Sequence, residues 1–293
     1  MTAHSDFSPA FVAELARTDV AHALKEDVGA GDLTAGLVDP TAQACAKVLA
    51  REDAIICGEP WVRAAFQQIN PAIEVVWLVP EGHRCAVDQV IFEARGNARG
   101  LLTAERTALN FLQLLSAVAS KTNEFAQAVR GVPGAHARIV DTRKTLPGLR
   151  LAQKYAVFIG GGTNHRLGLY DAVLIKENHI AAAGGVAAVL QRAAAVAPQA
   201  KFVEIEVETL AQLDEALEAG AGMVLLDNMS IAQLTDAVRL NAGRAILEVS
   251  GGVNLATVRT IAATGVDRIS IGALTKDVKA VDFSMRFTHS PYQ

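Results

Sequence analysis

From Ala137 onward, short β-branched runs alternate with segments whose apolar residues are spaced three and four apart. The runs read "ARIVDTR", "AVLIK", "KFVEIEV", "MVLLDN", "AILEVSGG" and "RISIGAL". The later amphipathic segments open on Thr209, Ser230 and Asn254, and close on Gly220, Gly243 and Gly265. A small oxygen-bearing residue caps the first helical amides, and glycine accepts the left-handed turn that ends a helix. The pattern recurs roughly every 22 residues, which predicts parallel βα units and an α/β barrel or open sheet. Six strands are clear, whereas a closed eight-unit barrel usually takes at least about 200 residues. An incomplete barrel with an open side is therefore expected.

The first hundred residues lack this repeat. "AKVLAREDAIICGEP", "IEVVWLVPEGHRC" and "QVIFEARGNARG" predict strands separated by turns, with helices over 9–25 and 60–69. A long helix follows over "LLTAERTALNFLQLLSAVASKTNEFAQAVRG", where Phe111, Leu112, Leu115 and Val118 share one arc and Arg106, Asn110 and Gln113 lie opposite. The predicted organisation is an N-terminal α/β sandwich-type domain over 1–118, a barrel over 119–275, and a tail over 276–293 that rejoins the first domain.

Composition narrows the function. With 51% apolar and 20% charged residues the chain builds a large core. A net charge of −4 argues against a nucleic-acid partner, so any anion site must be a local cluster. Cys45, Cys57 and Cys85 show no CxxC or metal spacing and predict buried thiols in a reducing cytoplasm. Asp6, Glu14 and Arg17 interrupt the apolar run a signal peptide needs, and Gln191 and Arg192 break the Ala-rich stretch 181–200, so no membrane association is expected.

The carboxyl ends of the predicted strands are polar: Arg143-Lys144, Lys176, Glu206, Asp227, Ser250-Gly251-Gly252 and Ser270-Ile271-Gly272. Ligands of such barrels bind at these ends. The two late glycine loops suit a phosphate, because glycine lets main-chain amides approach an anion and a following helix adds positive potential. Strand alternation sends Glu204, Glu206 and Glu208 to one face. With Asp227 these acids suit Mg²⁺, sugar hydroxyls or a developing cation; helix capping or a solvated edge is the alternative. Arg143, Lys144, His165, Arg166 and Lys176 recur over two units, and Lys176 ends an apolar run, so it needs an anionic partner. A polyanion pocket is the reading. A P-loop, a GxGxxG turn, a zinc spacing and a nucleophile triad are absent from the sequence.

"DTRKTLPGLRLAQKYAVFIGGGTNHRLGLYDAVLIKENHI" resembles the core of the quinolinate phosphoribosyltransferases, the carboxylating nicotinate-nucleotide pyrophosphorylases. The likeness extends through "GDLT", "ERTALNFLQLLS", "EIEVET", "LLDNMS", "EVSGGV" and "ISIGALT", with one departure at "SAVAS" (116–120), where the family more often reads S-G-x-A-T. The resemblance implies an open barrel of about seven strands. It also implies transfer of phosphoribosyl from 5-phosphoribosyl-1-pyrophosphate to quinolinate with loss of CO₂, an NAD-biosynthetic reaction using Mg²⁺. It further implies a homodimer in which Arg106 reaches across to the partner's barrel. The implied roles are Arg143, Arg106, His165 and Arg166 on quinolinate carboxylates, and Lys144 and Lys176 on carboxylate or pyrophosphate. Ser250, Gly251, Gly252, Ser270 and Gly272 would hold the 5-phosphate; Glu206 and Asp227 would serve ribose hydroxyls and the metal. Lys144, Lys176, Glu206 and Asp227 are the expected catalytic residues. Two rivals are an accessory paralogue of molybdenum-transport type and a Schiff-base lyase or aldolase on Lys176.

Overall fold

The computed structural model describes residues 7–288. The first six residues and the end of the expected tail, 289–293, lie outside the described residues. The chain divides into two units: one holds residues up to 121, 146–161 and from 277 onward, the other 122–145 and 162–276.

In the first unit a four-stranded antiparallel sheet runs in the order Phe283–Thr288, Gln43–Ala50, Val90–Asn97, Glu74–Trp77. The tail strand pairs along its whole length, from Thr288 opposite Cys45 to Phe283 opposite Ala50. Along Gln43–Ala50 the buried residues are Ala46, Val48 and Ala50, a period of two that presents one face to the core. Helix Glu59–Ile69 buries Trp61, Val62, Ala65 and Phe66 on one stripe. Trp61 and Phe66 are wholly buried, and each such side chain contributes about 2–3 kcal/mol of apolar burial. The 33-residue helix Ala98–Arg130 carries the buried arc Phe111, Leu112, Leu115 and Val118, as its pattern predicts.

Residues 146–161, expected in the barrel, group with this first unit. The reason is packing: Tyr155, on helix Arg150–Ile159, sits edge-on to Phe7 at 5.5 Å and lies 5.5 Å from Trp61.

The second unit is a six-stranded parallel sheet in the order Arg138–Val140, Arg268–Ser270, Ile246–Ser250, Met223–Asp227, Val203–Val207, Val173–Ile175. Its first and last strands are not paired to each other, so the barrel is open. In place of a seventh strand there is a single parallel bridge between Val140 and Thr163. Thr163 N–H donates to Ile139 at 2.8 Å and its carbonyl accepts from Asp141 at 3.2 Å. The next residues turn away because Asp141 captures them, as described below.

Thr209 and Ser230 open helices Leu210–Glu218 and Ile231–Asn241 with reciprocal caps from Gln212 and Gln233. Asn254 behaves otherwise. Its side chain accepts from Ala256 and Thr257, organising one turn, and the helix begins only at Val258. The Ser250-Gly251-Gly252 loop is thus separated from its helix by a turn of chain.

Candidate active site

The strand-end residues of the candidate site belong to the second unit. The Arg138–Val140 strand ends in Asp141-Thr142-Arg143-Lys144. Thr142 Oγ1 accepts the Lys144 amide at 3.1 Å, and the Thr275 hydroxyl donates to the Lys144 carbonyl at 2.8 Å. The Lys144 stem crosses Gly272 so closely that a Cβ there would stand 3.1 Å from its Cδ. Gly272 thus makes room for a cation.

Asp141 is fully buried and shapes the cation-bearing loop, accepting from His165 N at 2.9 Å and Asn164 Nδ2 at 2.6 Å. Asp171 closes the other end, accepting from Leu167 N and Gly168 N, both at 2.9 Å. Arg166 is held between them with only 8% exposure. Burial, and then the positive charge of Arg143, pull its guanidinium below the usual arginine range; Asp171 and Glu204 oppose this. Arg143 itself has a buried Nε with no hydrogen-bond partner. Two guanidiniums whose charges oppose each other, one with a buried donor free, match the needs of an anionic ligand.

Lys176 is exposed, and its Nζ lies 2.9 Å from Glu206 Oε2. The partner its apolar run requires is therefore on the neighbouring strand. Asp227, half-buried, takes Asn228 Nδ2 at 2.7 Å. Asn228 has φ +54° and its amide donates to Ser250 O at 3.0 Å, which ties this acid to the first glycine loop. At Gly251, φ +99°, a Cβ would stand 2.1 Å from Asn228 Oδ1. Only glycine fits there. Glu206 and Asp227 supply hard carboxylate oxygens at the ends of adjacent strands, a donor set that fits Mg²⁺ completed by phosphate oxygens and water.

Ser270 departs from expectation. It is buried, and its hydroxyl donates to Glu248 Oε1, so its one proton is committed inside the sheet. His165 is buried too, with Nε2 2.7 Å from Glu204 Oε2 and Nδ1 accepting Arg166 N at 2.8 Å. Glu204, Glu248 and His165 could together face a cation, yet Arg268 Nε at 2.6 Å and Ser270 already occupy both oxygens of Glu248. The cluster reads as a proton-bonded network. Burial and then the charge of Glu248 raise the Glu204 pKa to about 6. Arg106 is exposed on helix Ala98–Arg130 of the first unit. A cleft at the opposite, amino ends of the strands contains His136 and Arg244, already paired with Asp267 and Glu218.

Sequence reasoning overlooked Glu248, Arg268, Asn228 and the buried role of Asp141. A signal existed: Glu248 and Ser250, like Arg268 and Ser270, stand two apart on strands and so share a face.

Residues 32–116 match the N-terminal domain and residues 118–286 the C-terminal domain of quinolinate phosphoribosyl transferase. The chain belongs to the quinolinate phosphoribosyltransferase family. Within it, a probable carboxylating nicotinate-nucleotide pyrophosphorylase of Bacillus subtilis is 38% identical over 92% of each chain. A mitochondrial decarboxylating quinolinate phosphoribosyltransferase of Nicotiana tabacum is 42% identical over 90% of this chain and 80% of its own length. The nicotinate-nucleotide pyrophosphorylase of Francisella tularensis superposes with a TM-score of 0.90 at 42% identity, over 94% of this chain and 97% of that one. The open parallel sheet with a separate antiparallel sheet is the architecture of this family.

Proposed function

We propose that the chain transfers the 5-phosphoribosyl group of 5-phosphoribosyl-1-pyrophosphate to the ring nitrogen of quinolinate. Pyrophosphate, CO₂ and nicotinate mononucleotide are the products, and the step serves NAD biosynthesis. The observation that carries this reading is Arg143 and Arg166, two guanidiniums whose charges oppose each other, one with a buried donor unpartnered. A dicarboxylate between them would relieve both the repulsion and the missing bond.

Ser250, Gly251 and Gly252 offer main-chain amides to the 5-phosphate, with Gly272 beside Lys144 in the next loop. As pyrophosphate leaves C1 of the ribose, positive charge grows there, and the carboxylates of Glu206 and Asp227 stabilise it. Lys176 holds Glu206 in place, and Lys144 draws charge from the departing group. Mg²⁺, when held by Glu206 and Asp227, supplies charge neutralisation for the pyrophosphate. The pyridine nitrogen then bonds to C1. In the resulting pyridinium, the electrons of the bond to the C2 carboxylate flow into the ring; CO₂ departs and a proton takes its place. Positioning is the protein's largest contribution.

Arg106 of a second copy would complete the quinolinate pocket of a homodimer, consistent with its exposure. A cytoplasmic enzyme accords with three unpaired cysteines, and no described helix is long and apolar enough to cross a membrane. A Schiff-base lyase would need a lysine free of anionic partners, and Lys176 Nζ is paired with Glu206 at 2.9 Å. An accessory paralogue of molybdenum-transport type would need the glycine loops but not the arginine cluster. The test is to mix the protein with quinolinate, 5-phosphoribosyl-1-pyrophosphate and Mg²⁺. Pyrophosphate and CO₂ should appear in equal amounts, and nicotinate should not replace quinolinate. Pyrophosphate without CO₂ would refute the reading.

A further inference from the structure

Two residues before the strand-end positions Glu206, Ser250 and Ser270 stand Glu204, Glu248 and Arg268, which form a second polar cluster with Ser270 and His165. Glu204 and Glu248 have no exposed surface, and His165 and Ser270 are 8% and 5% exposed. We infer that His165 is a positioning residue whose ring, held by Glu204 and Glu248, carries the main chain of Arg166 and does not itself bind a substrate carboxylate. The kinetic half of this inference rests on the proposed quinolinate reaction; the structural half does not.

Both ring nitrogens bond within the chain. Nδ1 accepts the Arg166 amide at 2.8 Å, so the ring proton belongs on Nε2, where it is donated to Glu204 Oε2 at 2.7 Å. Phe202 packs edge-on to the ring, centroids 5.3 Å apart at 82°, and blocks rotation from the side. Glu248 Oε1 stands 3.5 Å from Nε2 and adds negative potential that keeps the proton there. Arg268 and Ser270 hold both oxygens of Glu248, so it cannot swing in to replace Glu204. The ring is therefore fixed in orientation and tautomer from two different strands, Val203–Val207 and Ile246–Ser250.

Arg166 needs such a strut. The charge of Arg143 acts unfavourably on its guanidinium, so the loop gains from being fixed through its main chain. Asp141 holds the chain just before it and Asp171 just after it. The Arg166 amide hangs on His165. Carboxylate–histidine pairs that orient a neighbouring group without touching the ligand are a general device of preorganised sites.

The experiment combines spectroscopy of the intact protein with two substitutions at Glu204. In ¹⁵N-histidine-labelled wild type, the backbone-assigned His165 ring should show one proton, on Nε2, both without ligand and at saturating quinolinate. Glutamine keeps an oxygen to accept from Nε2 and gains an N–H for Glu248, so Glu204→Gln should leave kcat/KM for quinolinate within about threefold of wild type. Glu204→Leu removes the acceptor. It should raise KM for quinolinate at least tenfold and leave KM for 5-phosphoribosyl-1-pyrophosphate within twofold. Quinolinate that moves the proton to Nδ1 or protonates both nitrogens would overturn the inference, as would equal losses in the Gln and Leu variants. Should Glu204→Leu not fold, the ring spectrum and a Glu204→Gln loss beyond tenfold still decide it. Should wild type release no pyrophosphate with quinolinate, the proposed reaction falls, and the unliganded ring spectrum alone judges the strut: a proton on Nε2 supports it, and one on Nδ1 ends it.

Discussion

Each unit withdraws a carboxylate from solvent, Glu81 in part and Glu204 wholly, and the two are treated differently. In the first unit Glu81 accepts from Gly58 N at 2.8 Å and Glu59 N at 3.0 Å, at the start of helix Glu59–Ile69. Burial raises its pKa, but each of its oxygens is met by a main-chain amide. In the second unit Glu204 has one oxygen on His165, while its Oε1 is buried without a partner. Arg143 Nε and Arg268 Nη2 are likewise unmet. Among the described residues the first unit has one buried side-chain atom without a partner, Trp77 Nε1, whereas the second has three, all on Arg143, Glu204 and Arg268 at or just below the strand ends.

The sharpest way to break that contrast is to remove the cation with the unmet donor. Arg143→Ala leaves a desolvated substrate carboxylate unpaired, which costs roughly 2–5 kcal/mol of transition-state stabilisation. Steady-state kinetics should show kcat/KM for quinolinate falling at least thirtyfold, with Tm unchanged or slightly raised because a crowded charge is gone. A value within about threefold of wild type would remove Arg143 from the role.

The glycine loop offers a second break. Gly251→Ala places a methyl group 2.1 Å from Asn228 Oδ1 at φ +99°, whereas Gly252→Ala at φ +60° meets nothing within 4 Å. The first should cost roughly 1–3 kcal/mol and displace the Asn228 contact to Asp227, raising KM for 5-phosphoribosyl-1-pyrophosphate about tenfold. The second should cost only about 1 kcal/mol, because alanine tolerates the left-handed region at modest strain. Equal KM values for the two variants would show that the Asn228 contact does not matter.

Titration sharpens the comparison between the buried and rim acids of one strand. Glu204 is moved from an ordinary 4.5 to about 6 by burial and by Glu248. A raised carboxyl pKa means that the folded chain binds the proton more tightly than the unfolded chain does. Stability from this group is therefore full below about pH 4.5 and declines as pH rises through 6, by about 2 kcal/mol in all. Denaturant titrations at pH 4.5 and 7 should show the decline in wild type, and Glu204→Gln should flatten it.

Much of this was legible beforehand. The six strand runs, the caps at Thr209 and Ser230, and the pairing of Lys176 with an acid on the neighbouring strand follow from periodicity and from charges at strand ends. Three things were not legible. The 146–161 helix joins the first unit through Tyr155 against Phe7 and Trp61, a contact between residues far apart in sequence. Asn254 caps a turn, because a side chain that can cap a helix can equally close an isolated turn. Ser270 faces inward because Glu248 sits across from it, and composition alone cannot say which end of a polar strand pair is buried.

The smallest expected effect tests whether the satisfied parts of the second unit are independent of its site. Thr209 caps helix Leu210–Glu218 by accepting from Gln212 N at 3.2 Å, and Gln212 returns a bond to Thr209 N at 3.2 Å. The helix follows the strand that bears Glu204 and Glu206, so a displaced cap could in principle reach the rim. Against that, Ile205 and Val207 are buried in the sheet and its ladder runs on to the Met223–Asp227 strand, which fixes the acids from the side. Thr209→Ala should therefore cost about 1 kcal/mol of stability, read as a fall in Tm, and leave both KM values within twofold. A kinetic loss larger than the stability loss would mean that the rim is held by its following helix and not by its neighbouring strands.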